Sequence, residues 1–462
     1  MGGVLDILNI SVGTLLNQQV ALEVTSHNIA NISTPNYARQ RVIQKTRFPL
    51  YAHYGARGRG ARIANIEQVR DQFVDRFLLE KNSTYNYYVG KDDIMTKIES
   101  LLNETEDYGL SHDLQEFWNS WQALARNPQG SAERQSIVEK ATALADKIRN
   151  IYAGFEEYKD GIEQKIESGI SKINTILEKI ADLNKEIARR EVTGHPANDL
   201  RDERQQALEE LSEYVDFDYR EEDNGWLTVQ FYTNHSTGAK VTMVSGGNYG
   251  KLTVPASGVS PVFSGTDAAG NAVASFDFDG GKFSGWKDMW DEISNGVDGY
   301  EDKLNTLANT IIQQVNSYQD YNDGVNIHHF FNGSDASNIE FNDEFETNLS
   351  WIMAGSSPGD NSTAITMANL GEVSQVALGG ESINGYWQNF ITSIGTEAQQ
   401  VEAKKDFQEA LKNELRSEQQ AVSGVSMEEE MTNMIQYQHI YQAAARMITT
   451  GKEMLDTLIN MT

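Results

Sequence analysis

The stretch LDILNISVGTLLNQQVALEVTSHNIANISTPNYARQ, from Leu5 to Gln40, decides how this chain is put together. In it Leu5, Leu8, Val12, Leu15, Gln19, Leu22, Ser26 and Ile29 step by three and four. That spacing draws one narrow apolar seam along a helix, which suits a coiled-coil partner better than a broad globular face. Pro35 ends the pattern. The far end of the chain repeats the design: Met427, Met431, Met434, Gln438, Tyr441, Ala445 and Ile448 step by four and three, opened by Gly424 with Ser426 as N-cap. A seam without a partner leaves apolar surface in water, so the two ends are expected to pack on each other.

Working outward, 462 residues exceed what one core organises, so two or three domains are expected. The net charge of −29 and the pI near 4.6 argue against a partner such as nucleic acid. There is no cysteine, which removes disulfides, thiolate metal sites and cysteine nucleophiles. No run approaches the roughly 20 apolar residues of a membrane span, so no membrane insertion is expected. Met1 to Ile10 carries Asp6 and no basic residue, unlike a secretory signal peptide. Charge is also segregated. Residues 39–70 hold Arg39, Arg41, Lys45, Arg47, Arg57, Arg59, Arg62 and Arg70 against Glu67, a net of +7, while 418–462 carry a net of −4. A solvated face accounts for such a run. So does contact between the basic segment and an acidic surface on a neighbouring copy.

Residues 131–190 read as one helix: Ile137, Ala141, Leu144, Ile148, Ile151, Phe155, Tyr158 and Ile162 keep heptad spacing, Ile166 and Ile170 step by four twice as a stutter, and Ile173, Leu177, Ile180 and Ile187 continue the stripe. At this length the helix spans about 90 Å, a rod rather than a compact core element. A second stripe runs from Trp286 through Trp290, Ile293, Val297, Tyr300, Leu304, Leu307, Ile311 and Val315 to Tyr318, and a third from Trp387 to Leu415. Shorter helices are expected at 91–103, 111–126 and 198–213. Between 214 and 285 the period becomes two and glycine appears eleven times, the pattern of a small β insert. The fold class expected is therefore mainly α with an inserted small β domain, a long helical rod built from both halves of the chain. The expected units are 1–45 with 424–462 (a terminal coiled coil, disordered in the monomer), 46–213 with 286–423 (the rod), and 214–285 (an outermost, removable β insert).

Catalytic constellations do not emerge. His328 and His329 lack a further ligand at metal spacing. The glycines of 55–60 lack the strand–helix context of a phosphate loop, and Asp320 to Gly324 departs from a calcium loop. Asp202 with Glu203 reads as solvated or salt-bridged. No enzyme activity, cofactor or metal is expected.

At the end of the first helix stands Ala30-Asn31-Ile32-Ser33-Thr34-Pro35-Asn36-Tyr37-Ala38-Arg39, in which Thr34 to Tyr37 suits a type II turn with Asn36 at the position needing φ > 0. This segment resembles the signature shared by flagellar rod, hook and hook-associated proteins, departing at Asn36 where the family usually has Gly. The C-terminal stretch from Ser423 through Met431, Met434, Tyr441, Ile448 and Leu455 to Leu458 resembles their matching C-terminal signature. In the middle, Asn198-Asp199-Leu200-Arg201-Asp202-Glu203-Arg204 and Phe331-Asn332-Gly333-Ser334-Asp335-Ala336 are similar to stretches of the hook-associated branch. Leu15, Leu22, Ala30, Asn31, Thr34, Pro35, Asn36, Tyr37, Arg39, Met431, Met434, Tyr441, Ile448, Leu455 and Leu458 are the candidate assembly residues.

The resemblance implies a structural role at the junction between flagellar hook and filament. It implies a ring of like subunits contacting hook protein and the second junction protein, hook-associated protein 3. It also implies export through the flagellar type III export apparatus, with an export chaperone guarding the C-terminal helix, to an extracellular position without a cleaved signal peptide. Two other readings remain: a hook or distal-rod protein, and a secreted coiled-coil adhesin whose β insert carries recognition.

Overall fold

The computed structural model describes all residues but 1, 53–54, 105–107, 193, 223, 295, 297 and 461–462, and not the side chains of Gly2, Ala52 and Leu458. Helix α1 (Gly2–Ala30) leads through a turn into a strand pair, β1 (Gln40–Thr46) with β4 (Ala61–Gln68), tipped by β2 (Leu50–Ala52) and β3 (Gly55–Arg57). The body follows with α2 (Gln72–Leu102), α3 (Leu110–Arg126), α4 (Ser131–Glu191) and α5 (Asn198–Ser212). The insert holds β5 (Asp218–Glu221), β6 (Leu227–Asn234), β7 (Ala239–Ser245) and β8 (Asn248–Tyr249) in one antiparallel sheet. A second sheet, in the order β11-β10-β9, joins β9 (Lys251–Thr253), β10 (Ser264–Thr266) and β11 (Ala272–Val273). The return path is α6 (Gly281–Ser294), α7 (Tyr300–Gln319), the short α8 (Glu344–Thr347) and α9 (Ser362–Asn369), then α10 (Ile383–Ser423) and α11 (Met427–Asn460). The fold is mainly helical with a small β insert.

The stripe along α4 is buried from Ile137 to Ile187. Its one polar member, Asn184, is fully buried. Its Nδ2 donates to the carbonyls of Leu227 and Gly246, and its Oδ1 accepts from the Leu227 amide and from Arg204. That residue clamps the insert to the rod, because an unpaired amide there would cost as much as a lost hydrogen bond. Beyond it, Val229, Phe231, Met243 and Val244 of the sheet share one hydrophobic core with α4 and α6, and the Phe263 ring stacks on Phe283 at 5.0 Å. Alternation alone suggests a separable outer unit, whereas one face of the insert is apolar and is covered by the helices.

Other expectations are corrected. The helix expected at 91–103 begins at Gln72, because its first turns bury polar residues, Asn82, Ser83 and Asn86, rather than an apolar stripe. Gly90 of α2 and Gly285 of α6 let these helices cross closely: a Cβ at Gly285 would lie 2.3 Å from the Tyr87 carbonyl oxygen. The stripe from Trp286 to Tyr318 is two helices, broken before the Gly299 N-cap with Asp298 at φ 76°; Val297 lies outside the described residues. The rod does not begin at residue 46, since the β-hairpin runs on to Gln68 and lies along α1. Its Ala61 carbonyl accepts from Asn17, and Gly60 sits against Ile10.

Where α2, α6, α7 and α10 meet, Lys91 lies between Glu292 at 3.4 Å and Glu397 at 3.5 Å, and the Tyr300 hydroxyl donates to Glu397. Burial, then the neighbouring Glu397, pushes the Glu292 carboxyl up to about 7.

Candidate assembly site

Helices α1 and α11 lie antiparallel. Leu8 packs over Gly451 at one end, and Arg39, just past α1, meets Glu429 and Glu430 at the other. The buried and half-buried residues of α11 include Glu430, Met434, Tyr437, Tyr441, Ala444, Ala445, Ile448, Gly451 and Leu455. On α1 the corresponding positions are Val4, Leu8, Ser11, Leu15, Gln18, Leu22, Thr25 and Ile29, and Ala21 and Val24 beside them are buried as well. Half of the α1 seam expected from sequence is therefore one residue out of step. Leu8, Leu15, Leu22 and Ile29 point inward, but their alternates are Ser11, Gln18 and Thr25 rather than Val12, Gln19 and Ser26. The apolar Leu5 and Val12 drew the expected stripe onto the outer flank, where they are 49% and 45% exposed. On α11, Met434, Tyr441, Ile448 and Leu455 occupy the inward face, whereas Met427 and Met431 are exposed; the Leu458 side chain lies outside the described residues.

A seam whose alternate layers are Ser, Gln and Thr has little apolar area to bury. Its polar layers specify register at a cost in stability, and the Gln18 Oε1 is buried with no hydrogen-bond partner among the described residues. The apolar residues left outside are Leu5, Ile7, Val12 and Leu16 on α1, with Met427, Met431, Ile435, Met447, Met454 and Ile459 on α11.

The turn after α1 is built as expected. The Tyr37 amide donates to the Thr34 carbonyl at 3.3 Å, and Asn36 adopts φ 59°, the left-handed region that Gly or Asn fills most readily. Asn31 closes on the His27 carbonyl, Thr34 donates to the Asn31 side chain, and Pro35 and Ala30 are exposed. The Tyr37 hydroxyl donates to Asn28 Oδ1 at 2.8 Å, and burial, then the Asp199, Asp202 and Glu430 carboxylates, pushes it well above the usual phenol range. Asn28 itself is buried and exchanges hydrogen bonds with the backbone of Gln40, so a helix side chain stands in for a strand partner.

Around this turn a polar network gathers distant segments. The Arg70 guanidinium donates to Asp202 at 2.7 Å, Asp75 at 3.1 Å and the Asn36 carbonyl at 3.0 Å. Asp202 also accepts from the Ala38 amide, Asp75 accepts from Gln419, and the Arg39 amide donates to the Ser423 carbonyl at 2.8 Å. Arg39 pairs bidentately with Glu429 at 2.8 Å through both bonds, while its Nε lies 2.9 Å from buried Glu430. Burial raises the Asp202 carboxyl to about 6 against the pull of Arg70. Asn198 bonds Gln40 and the Ile66 carbonyl, and Gln40 reaches Asp199. Two motifs far apart in sequence, the turn at 30–39 and Asn198 to Arg204, are thereby in contact. Helix α5 is the keystone: Asn198, Asp199 and Asp202 face the terminal pair, while Arg201 and Arg204 bond Glu191, Glu221 and the Gly225 carbonyl beside the insert. Asp202 was expected to be solvated or salt-bridged; it is 8% exposed and holds Arg70. Asn28 gave no sequence signal, and Arg70 stood out only as one member of the basic run, because a polar residue's partner carries no periodic signal.

Among the described residues no group of three His, Asp or Glu side chains is placed to hold a metal ion, and no helix is long and apolar enough to cross a membrane.

Comparison with known proteins agrees with this architecture segment by segment. The profile described as flagellar hook-associated protein FlgK helical domain matches residues 95–330. A flagella basal body rod protein profile matches 8–37, and the flagellar basal body rod FlgEFG protein C-terminal profile matches 418–461. Flagellar hook-associated protein 1 of Bacillus subtilis is 28% identical, across 96% of this chain and 95% of that protein. Its namesake in Salmonella typhimurium is 22% identical, across 98% and 99%. The structure of the flagellar hook junction protein FlgK from Burkholderia pseudomallei superposes with a TM-score of 0.61 at 13% identity, covering 75% of this chain and all of that one, a likeness of fold. With its helical-domain profile spanning half of the sequence, the chain belongs to the flagellar hook-associated protein FlgK family.

Proposed function

We propose that this chain is a non-enzymatic structural subunit of the bacterial flagellum, placed at the junction between hook and filament. The observation that carries the reading is the terminal helix pair. Its internal seam is half polar, and the apolar side chains it leaves outside, from Leu5, Val12 and Leu16 to Met431, Ile435 and Met454, suit burial against neighbouring subunits. Like copies in a ring, hook protein below and hook-associated protein 3 above would supply that cover. Before assembly the same exposed flank of α11 suits an export chaperone, and a chain without cysteine can thread the type III export apparatus without cross-linking. The final position proposed is extracellular.

The units proposed are the terminal helix pair, the rod and its insert, with the network around Arg70 and Asp202 transmitting orientation between them. A strain lacking the chain is expected to build hooks without filaments and to lose filament protein to the medium. Normal filaments on its hooks would overturn the reading.

A further inference from the structure

We infer that the β1–β4 hairpin is a basic docking finger for the acidic outer face of α10 on a second copy of this chain. Three observations about the hairpin lead there. Among the described residues, Arg41, Lys45, Arg47, Arg59 and Arg62 form no ion pair within the chain, although most of the basic side chains on α4 and α5 do. Lys45 and Arg62 are directly opposed across the strands. Like charges in that position destabilise a sheet, so the pair is retained at a cost that an anionic partner would remove. At the tip, Phe48, Leu50 and Tyr51 are 87%, 49% and 82% exposed, far more apolar surface than a solvated charge run needs.

The acceptor is in the same molecule. Outside residues 39–70 the chain carries a net of −36, so a second copy is an anionic surface from the hairpin's side. On α10, Glu402, Asp406, Glu409, Glu414 and Glu418 are exposed and form no ion pair among the described residues, and Phe407 is 65% exposed in their midst. Burial, then the Glu402 and Asp92 charges, holds the neighbouring Glu99 above the usual carboxylate range. Cations around aromatic rings on one surface thus match carboxylates around an exposed ring on another. Because donor and acceptor are different patches, the contact is head-to-tail, the kind that propagates into a ring or helix rather than closing a two-fold dimer.

The inference rests on the self-assembling subunit reading and refines it. The test uses the full chain with paired reversals, Lys45→Glu with Arg62→Glu on the hairpin and Glu414→Lys with Glu418→Lys on α10. Each pair alone is expected to cut the chain retained on isolated flagella by about tenfold or more, and the four together to restore it. Carbodiimide coupling on isolated flagella carries the same message, since Lys45 is the sole lysine in residues 39–70. It is expected to join Lys45 to an α10 carboxylate of a differently labelled copy. Melting of the secreted variants unchanged from wild type separates lost docking from lost folding. Retention unaffected by either reversal, or lost with the hairpin pair and not restored by the α10 pair, would overturn the inference. Normal filaments in the deletion strain would instead overturn the junction reading itself.

Discussion

The rod and the terminal helix pair are both built on seams, and they treat them oppositely. Along α4 the stripe from Ile137 to Ile187 is closed over by the chain's own helices and sheet, and its one polar position, Asn184, has every hydrogen bond satisfied. Along α1 and α11 the inward layers alternate apolar with Ser11, Gln18 and Thr25, while Leu16, Met431 and Ile435 stay outside. The rod spends its apolar residues on itself. The terminal pair leaves many of its apolar side chains exposed and adds polar contacts at its base.

That contrast breaks most severely if the insert is removed. Deleting 220–280 is expected to abolish the cooperative melting of the helical body, read by circular dichroism, since it strips Val229, Phe231, Met243 and Phe263 from the shared core. An intact transition would show the insert to be independent after all. A single truncation in the rod, Leu177→Ala, is expected to cost about 2–5 kcal/mol of unfolding free energy by denaturant titration. Met431→Ala, on the exposed flank of α11, should stay within about 0.5 kcal/mol in the same assay. Equal costs would erase the distinction drawn between the two regions.

Function should reverse that ranking. Met434→Asp or Tyr441→Asp is expected to abolish filament attachment, because a carboxylate buried in the seam costs several kcal/mol, while the rod melts unchanged. Secretion must be followed in parallel, and secreted mutant protein that still builds normal filaments would show that assembly does not need an intact helix pair. In the isolated monomer, amides of 2–35 and 425–460 are expected to exchange far faster than those of 137–187. Strong protection at both ends would show that the half-polar seam suffices alone.

The smallest expected effects are in pH. Burial holds Glu292 up to about 7, against an ordinary value of 4.5, so folding takes up a proton between these values. Stability contributed by this group is therefore full below the lower value and is lost as pH rises through about 7. Asp202 behaves alike in a lower window, from 3.8 to about 6. Glu292→Gln should flatten the upper part of the stability profile and Asp202→Asn the lower. Of the two, Asp202→Asn alone should also speed exchange in α1 and α11, because Asp202 holds Arg70 and the Ala38 amide beneath the terminal pair.

Legibility followed apolar periodicity. The long helix at 131–190, the turn at Thr34 to Tyr37 and the pairing of the two ends were readable because each rests on spacing or on a local backbone requirement, such as φ > 0 at Asn36. Failures fell where polar residues carry the structure. The first half of α2 went unread because Asn82, Ser83 and Asn86 line its buried face, and the α1 seam slipped because Leu5 and Val12 are more apolar than the inward Ser11 and Gln18.

By itself, then, the sequence determined the helical class, the rod, the β insert and the paired ends, since periodic burial of apolar surface is a property each segment carries alone. Only the tertiary structure decided which face of α1 turns inward, that the insert shares the rod's core, and that the turn motif locks onto Asn198 to Asp202 through Arg70. Those outcomes depend on which polar groups find partners across more than a hundred residues of sequence, as Arg70 does with Asp202. A hydrogen bond has no periodicity from which its partner can be read.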